Sequence, residues 1–341
     1  MKKEEMYRIV PTVWLRNDDK FYELARKFDE YGIRELRINC ARYNIESYTK
    51  EILDFNDWCI TNLGYKFQLI LDLPIPHRKI RLHYPYSGAG KYIRPDERIY
   101  ITRNIEMCEG KQNCVFTPDF NILGSLSVGN SLYVGDNRLE LIITEMEKDV
   151  IIVKCVKEGE LANGKYVITN SVKYQHSTLE DIESYIKMCN IIEPSLVAFS
   201  FVNSPNDIRE ITNLNSWNCR AKIIAKIETE EGYKNLKRIL KDSDMVMVAR
   251  GDLLNNVGVE KFAEHSSTII EHCENTGVNY YVATGILDSL KEIDGFVSRA
   301  ELLDVYNLLT KRHSKMILTY GLCKNKEIME KTLSLIQCIE C

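Results

Sequence analysis

Lys226 and Glu228 stand two residues apart in the short apolar run Lys222–Glu228. In an extended chain that spacing sends both side chains to one face and the intervening Ile227 to the other. A lysine and an acid aimed together out of such a run are costly to bury unless a ligand, a metal or each other satisfies them. From strand position alone, a structural ion pair and a ligand site stand level. Asp252 follows the next apolar run and can reach the same place. Two carboxylates from neighbouring strands suit Mg²⁺ or Mn²⁺, because hard cations prefer oxygen ligands. Gly251 lets backbone N–H groups approach an anionic oxygen, and Arg37 is a planar donor for phosphate or carboxylate. Taken together, these types describe a metal-dependent enzyme handling a small anion.

Such residues need a scaffold that gathers strand ends. Eight short apolar runs recur: Arg8–Trp14, Glu35–Ala41, Phe67–Leu73, Leu196–Val202, Lys222–Glu228, Met245–Ala249, Tyr280–Thr284 and Lys315–Tyr320. Their length and continuous apolarity predict strands buried on both faces of a parallel sheet. Helical patterns follow almost every one. Asp18–Tyr31 places Phe21, Leu24, Ala25 and Phe28 on one face; Glu230–Lys241 places Tyr233, Leu236, Ile239 and Leu240 likewise. Val259–Thr276 ends before Gly277, an expected C-cap. Eight such units are what a TIM barrel requires, with its polar strand ends at one mouth. Arg37 and Asn39, Asp72, Ser200, Lys226 and Glu228, Arg250–Asp252 and Thr284 all fall at those ends.

From about Leu82 to Asn170 the helical period stops. Glycines at 88, 90, 110, 124, 129, 135, 159 and 164 separate short alternating runs, with Ser131–Val134, Leu139–Thr144 and Val150–Val156 as strands and Gly135-Asp136-Asn137 as a tight turn. The expected fold class is therefore α/β: a TIM (β/α)8 barrel, residues 1–81 and 171–341, with a small antiparallel β-barrel domain, residues 82–170, inserted after strand 3.

Composition excludes several classes. The 341 residues are 45% hydrophobic and 28% charged with a net charge of -4, so no overall field draws nucleic acid or an anionic membrane. The longest apolar run, near Val150 to Val156, is broken by Lys154 and far too short to span a bilayer. The start, MKKEEMYRIV, has no apolar core after its charges, so no signal peptide is expected. Eleven scattered cysteines, an odd number, read as a reduced, cytoplasmic chain. The CxxC at Cys338-Ile-Glu-Cys341 reads more readily as a chain terminus than as a zinc or redox motif, and the six histidines, His265 and His272 included, show no ligand spacing with the cysteines.

Around Lys226, Glu228 and Asp252 the sequence resembles the pyruvate kinase family. Ile223-Ile-Ala-Lys226-Ile-Glu228-Thr-Glu-Glu-Gly232, continued through Ser243-Asp244 to Met247-Val-Ala-Arg250-Gly251-Asp252-Leu253, follows the family's signature. Arg37-Ile-Asn39 resembles its R-x-N, Leu71-Asp72 its L-D, and Phe199-Ser200-Phe201 its A-S-F segment. Ala283-Thr284-Gly-Ile-Leu287-Asp-Ser289 resembles C-A-T-Q-M-L-E-S, and Ser298-Arg299-Ala300-Glu301 with Asp304-Val305 resembles T-R-A-E-x-x-D-V. A barrel with a β lid after strand 3 is also that family's architecture.

The resemblance implies phosphoryl transfer from phosphoenolpyruvate to ADP, giving pyruvate and ATP. It implies Glu228 and Asp252 as ligands of Mg²⁺ or Mn²⁺, and Lys226 as the charge on the transferring phosphoryl group. Arg37 would bind phosphate. Gly251, Asp252 and Thr284 would hold the substrate carboxylate, with Ser200 nearby and Thr284 relaying a proton. Asn39, Arg42, Arg81 and Lys165 would lie on the nucleotide side; for Asn39, Ser200, Lys165 and Arg299 plain barrel or surface polarity is an equal reading. The partners implied are small molecules, with no nucleic acid and no membrane, and a homodimer through the barrel domain fits.

The departures carry information too. The family's R-x-N-x-S-H-G becomes Arg37-Ile-Asn39-Cys40-Ala41-Arg42-Tyr43, which removes a serine ligand of the monovalent cation and replaces a nucleotide-side histidine. Leu73 stands where potassium-dependent members have Thr, leaving a degenerate cation site of Asn39, Asp72 and Leu73, and basic residues at His77, Arg78 and Lys79 follow. Independence from K⁺ is expected, with Arg78 or Arg81 replacing the family's second phosphate arginine. The S-G-E-T-A motif appears as Thr319-Tyr320-Gly321-Leu322-Cys323 without its acid. The sequence stops at Cys341, before the region matching the family's C-terminal domain, so sugar-phosphate allostery is expected to be absent. Two further readings are a metal-dependent lyase or aldolase acting on a 2-oxo acid, and a ligand-binding protein without turnover.

Overall fold

The computed structural model describes residues 6–42, 45–83, 90–111, 113–135, 139–169, 173–292 and 295–340. Tyr43, Asp136, Asn137 and Cys341 lie outside the described residues. The chain divides into two compact units, 1–76 with 177–341, and 77–176.

In the first unit the apolar runs form eight strands: β1 (Ile9–Val13), β2 (Glu35–Asn39), β3 (Gln68–Arg78), β4 (Leu196–Ser200), β5 (Lys222–Ile227), β6 (Met245–Ala249), β7 (Tyr280–Ala283) and β8 (Ser314–Leu318). Each pairs in parallel with the next, and β8 pairs with β1, so the sheet closes into an eight-stranded barrel. Alternation decides which side chains fill it. Val10, Ile70, Ala198, Ile224, Met247, Tyr281 and Ile317 form one interior cluster. Their neighbours, such as Ile223, Ala225 and Ile227, turn outward into the layer packed by the helices. Polar groups sit at both ends of this apolar plug. At the strand starts, Tyr281 donates to Glu35 Oε2 at 3.0 Å and Lys315 pairs with Glu35.

The helices follow their sequence signals closely. Asp18 caps Asp19–Glu30 by accepting the Phe21 N–H at 2.8 Å, and Phe21, Leu24, Ala25 and Phe28 are the buried face. Val259–Thr276 ends at Gly277, whose φ of 72° is the left-handed value a C-cap needs. The single helix expected over Glu230–Lys241 is instead two, Glu230–Lys234 and Leu236–Ile239. Asn235 divides them: its φ,ψ of -93°, 5° leave the helical region and its side chain donates to Asn203 O at 2.9 Å. A short amide that bonds elsewhere competes with the helix for the backbone. β3 also runs beyond Leu73, to Arg78. Pro74 and Pro76 cannot donate to the ladder, and the register with β4 slips where Ser200 comes opposite Pro76.

The second unit holds a seven-stranded sheet in the order Ile80–Leu82, Lys165–Thr169, Ser131–Val134, Leu139–Met146, Val150–Lys157, Arg98–Thr102, Cys114–Phe116. All neighbours are antiparallel except the last pair. Its own core includes Ile99, Ile101, Leu132, Leu141, Ile143 and Val153. An antiparallel bridge between His83 and Phe116 joins the ends of the two outermost strands. Among the described residues no helix is long and apolar enough to cross a membrane.

Candidate active site

At the C-terminal end of the barrel one ammonium group collects three oxygens. Lys226 Nζ lies 3.1 Å from Asp72 Oδ1 and 3.2 Å from Glu228 Oε1, and donates to Ser200 Oγ at 3.0 Å. The ammonium thus has one hydroxyl and two carboxylate oxygens around it. Register makes the meeting: the interior parity that carries Ile224 also carries Lys226, and Ala198 lies opposite Asp72 across the β3–β4 pair. Ser200 passes its own proton to Leu73 O at 2.8 Å, so its hydroxyl is fixed as an acceptor toward Lys226. Lys226 is 8% exposed, Asp72 2% and Glu228 1%, which keeps water from screening the group.

Asp72 serves a second cation. Arg37 donates to Asp72 Oδ2 from Nη2 at 2.6 Å and from Nε at 2.9 Å, and its Nη1 donates to Thr12 Oγ1 at 3.0 Å. Burial alone would raise the Asp72 carboxyl, but Lys226 and Arg37 outweigh it and hold the group below its ordinary value. Lys226, in turn, would be lowered by burial and is held above its ordinary value by Asp72 and Glu228.

Glu228 is the unbalanced member. Burial pushes its carboxyl up to about 7, with Lys226 opposing and Asp252 adding. Its Oε2 accepts the Phe201 N–H at 2.6 Å. Its Oε1 is buried with no hydrogen-bond partner beyond the ion pair to Lys226. Phe201 makes its donation from a left-handed φ of 52°, an uncommon conformation for an aromatic residue. A buried acid raised by a second acid, with an oxygen to spare, is relieved by a divalent cation, and the Glu228–Asp252 pair fits one. Among the described residues no group of three or more His, Cys, Asp or Glu side chains forms a ready metal cage. Water and substrate oxygens would therefore complete a shell there.

Gly251 and Asp252 open the helix Arg250–Val257, directly after β6. An added Cβ at Gly251 would stand 3.0 Å from the Thr284 methyl and 3.4 Å from its hydroxyl, so any larger residue would require Thr284 to give way by a few tenths of an ångström. Thr284 follows β7 with φ 76°, a strained value for a β-branched residue. Arg250 holds it there: Nε donates to Thr284 O at 2.9 Å, while Nη1 and Nη2 grip Asp304 at 2.9 and 2.8 Å. A cavity of about 340 Å³ is lined by Arg250, Gly251, Leu254, Thr284, Gly285 and Asp304.

The barrel thus brings Arg37, Asp72, Ser200, Lys226 and Glu228 together and sets Gly251 against Thr284, with Asp252 close enough for its charge to act on Glu228. Asn39 turns inward on its own segment, its Oδ1 accepting the Ala41 N–H at 3.1 Å. Leu73 is fully buried and lends its carbonyl to Ser200. Arg42 ends the turn Cys40–Arg42, and its side chain lies outside the described residues. The remaining basic candidates belong to the second unit. Arg78 makes a two-pronged bond to Asp119 at 2.9 and 3.0 Å, Arg81 donates to Gly164 O at 2.7 Å, and Lys165 lies 3.6 Å from Glu160.

Four residues have roles that types and spacing do not assign. Asp72 is the hub of the charge network rather than only a remnant of a cation site. Arg250 and Asp304 fix the β6 and β7 ends. The Phe201 N–H orients Glu228 by backbone alone. Arg250 and Asp304 had a signal, since both lie within matched motifs; a backbone donor at positive φ has none.

Comparison with known proteins agrees with the barrel. The family model described as "Pyruvate kinase, barrel domain" matches residues 8–319. The chain is 28% identical over 306 residues to the pyruvate kinase of Staphylococcus epidermidis (strain ATCC 12228 / FDA PCI 1200), and 28% over 310 residues to that of Staphylococcus aureus (strain MRSA252). In each case the match covers 89% of this chain and 51% of the relative, so the chain spans about half the length of the curated relatives it matches.

Proposed function

Since the chain belongs to the pyruvate kinase family, we propose that it is a divalent-metal-dependent phosphotransferase that takes the phosphoryl group of phosphoenolpyruvate to ADP. The observation that carries this reading is Lys226, an ammonium seated between two buried carboxylates and a hydroxyl at the mouth of the barrel. Phosphoryl transfer needs little covalent chemistry from a protein; it needs positioning and charge neutralisation.

Glu228 and Asp252 would hold Mg²⁺ or Mn²⁺, which when bound supplies positive charge to phosphoryl and carboxylate oxygens. The chain's own groups do the rest. Lys226 exchanges one of its present oxygen partners for the phosphoryl group and neutralises it. Asp72 keeps Lys226 and Arg37 charged and aimed, so neither cation must reorganise as the phosphoryl group moves. Backbone N–H groups at Gly251 and Asp252 take the substrate carboxylate, with the Thr284 hydroxyl beside them, and that hydroxyl delivers a proton to the enolate carbon. Arg250 orients Thr284 without touching substrate. K⁺ is not needed, because both Asp72 oxygens already face cations. The insert is read as a small closed barrel, on the strength of the His83–Phe116 bridge. A cytoplasmic site of action is read from the odd, scattered cysteines.

A second reading is enolate chemistry on a 2-oxo acid without a nucleotide. It is favoured by Arg78 and Arg81, the candidates for a second phosphate arginine, which are engaged by Asp119 and by the Gly164 carbonyl. A lactate-dehydrogenase-coupled assay with phosphoenolpyruvate, ADP and Mg²⁺ or Mn²⁺ separates the two. Turnover that needs ADP and is lost in Lys226→Ala and Glu228→Ala supports the phosphotransferase. Pyruvate formed from 2-oxo acids without ADP replaces it with the lyase. Metal-dependent binding of phosphoenolpyruvate with no turnover leaves a binding protein.

A further inference from the structure

The second unit begins and ends on paired histidines. His77 is its first residue and His176 its last. His77 lies near the end of β3, and His176 closes the short strand Gln175–His176, which pairs antiparallel with it. The register sets the two histidines directly opposite each other, so both side chains leave the strands on one face. Arg78 and Gln175, the adjacent pair, take the other face by alternation.

The backbone on either side of the pair is fixed. The Ser177 N–H donates to Pro76 O at 2.8 Å, and the Ser177 hydroxyl donates to Pro74 O at 2.9 Å. The Tyr174 ring meets the His77 ring edge-on, with centroids 5.4 Å apart. Lys79, on the same face two residues on, has its ammonium over the Tyr166 ring, 3.6 Å from the centroid. His176 is exposed and His77 half-buried, so an ion can reach the pair from solvent.

We propose that His77 and His176 form a zinc site, each giving one imidazole nitrogen, with water in the remaining positions. The ring geometry selects the ion. The two rings stand 5.1 Å apart between centroids, with their planes at 86°. A Zn–N bond of about 2.0–2.1 Å puts each centroid about 3.2 Å from the metal, and a tetrahedral angle then sets the centroids about 5 Å apart. A square-planar ion with these ligands at right angles would bring them to about 4.5 Å. The observed spacing suits a tetrahedral ion with neither strand displaced. Each imidazole has two nitrogens, so one can bind metal while the other keeps a hydrogen bond, as metal-bound histidines usually do.

This site differs in chemistry from the Glu228–Asp252 pair. Carboxylate oxygens suit Mg²⁺ or Mn²⁺, whereas imidazole nitrogens suit Zn²⁺. A bound ion would also close the second unit into a loop from its first residue to its last. Metal clips across long loops give the largest gain in stability, because they remove the most freedom from the unfolded chain.

Tetrahedral Co²⁺ absorbs visible light strongly and octahedral Co²⁺ only faintly, which makes Co²⁺ the probe. The whole chain, cleared of metal by a chelator and kept reduced in excess Mg²⁺, is titrated with Co²⁺ and then with Zn²⁺. The expected result is an intense visible band that saturates with Co²⁺ and is bleached by Zn²⁺. Losing an outer partner of a ligating histidine costs about 10–100-fold in affinity, so losing a ligand should cost about 100-fold or more. His77→Gln and His176→Gln should each show that loss, while His83→Gln and Cys338→Ser should not. Zn²⁺ should raise the denaturation midpoint of the wild-type chain and leave that of His176→Gln unmoved. The proposal is overturned if Co²⁺ gives only the faint octahedral spectrum, as a bare edge-to-face pair of rings would leave it. It is equally overturned if the intense band survives His176→Gln or is lost in Cys338→Ser. His176 is exposed, so its variant decides the matter even where His77→Gln folds poorly.

Discussion

The Thr284 side chain rests against Gly251 so closely that a single added carbon would stand 3.0 Å from its methyl. Thr284 cannot simply retreat, because Arg250 holds its carbonyl at 2.9 Å. Gly251→Ala should therefore act as an overpacking change costing about 1–3 kcal/mol of stability, and should lower kcat/KM by displacing the Thr284 hydroxyl. Thr284→Ser removes the obstructing methyl and keeps the hydroxyl. Steady-state kinetics on the single and double variants should show the double variant recovering most of the loss; equal defects in both would refute the steric account.

Lys226 is shared by Asp72 and Glu228, so removing it strands two buried acids. Lys226→Ala should lower stability by about 3–5 kcal/mol and turnover by about 10²–10³-fold or more. Denaturant melts and the coupled assay measure both. A Lys226→Ala chain with wild-type stability would mean that water reaches these acids, contrary to their burial.

Glu228 sets a pH dependence with a definite sign. Its folded pKa, about 7, lies above the ordinary 4.5, so the folded state binds this proton more tightly than the unfolded chain does. Its contribution to stability is full below about 4.5 and is lost as pH rises through about 7. Glu228→Gln keeps the neutral form and should flatten that part of the curve. Urea unfolding of metal-free protein from pH 4.5 to pH 8 reads the difference. A wild-type minus variant difference that grows with pH would reverse the assignment.

Asp72 should make K⁺ unnecessary. One of its oxygens meets Lys226 at 3.1 Å and the other meets Arg37 at 2.6 Å. At constant ionic strength, exchanging K⁺ for a tetraalkylammonium salt should leave turnover unchanged. A severalfold stimulation by K⁺ would show that the cation still has a place beside this carboxylate.

Arg250 should behave as a positioning residue. Arg250→Lys cannot bond Thr284 O and both Asp304 oxygens at once. It should lower kcat more than it raises KM for phosphoenolpyruvate, and Asp304→Asn should follow in milder form. A pure rise in KM would instead place the guanidinium on the substrate.

The parts that sequence made legible are those governed by short periods. Alternation alone put Lys226 and Glu228 on one face with Ile227 opposite, and the apolar stripe with its cap gave Asp19–Glu30 and its buried residues. The Arg37–Asp72 pair was hidden because it spans two strands and depends on Asn39 coming opposite Asp72 in the closed sheet. The break at Asn235 was hidden because it depends on Asn203, far back in the chain. In the second unit three strands, the two longest among them, were visible as alternating runs. Their order was not, since Ile80–Leu82 finds its partner in Lys165–Thr169 across the whole insert.

The far end of the barrel offers an optical handle. Tyr281 is sealed inside the strands with its phenol on Glu35, and burial pushes its ionisation far above the ordinary range for tyrosine; Tyr280 is raised by burial as well. On titration to alkaline pH these two should stay colourless to tyrosinate absorbance for as long as the barrel stays closed. A late, abrupt gain of tyrosinate absorbance would then time the moment the eight strands part, with no label attached to the chain.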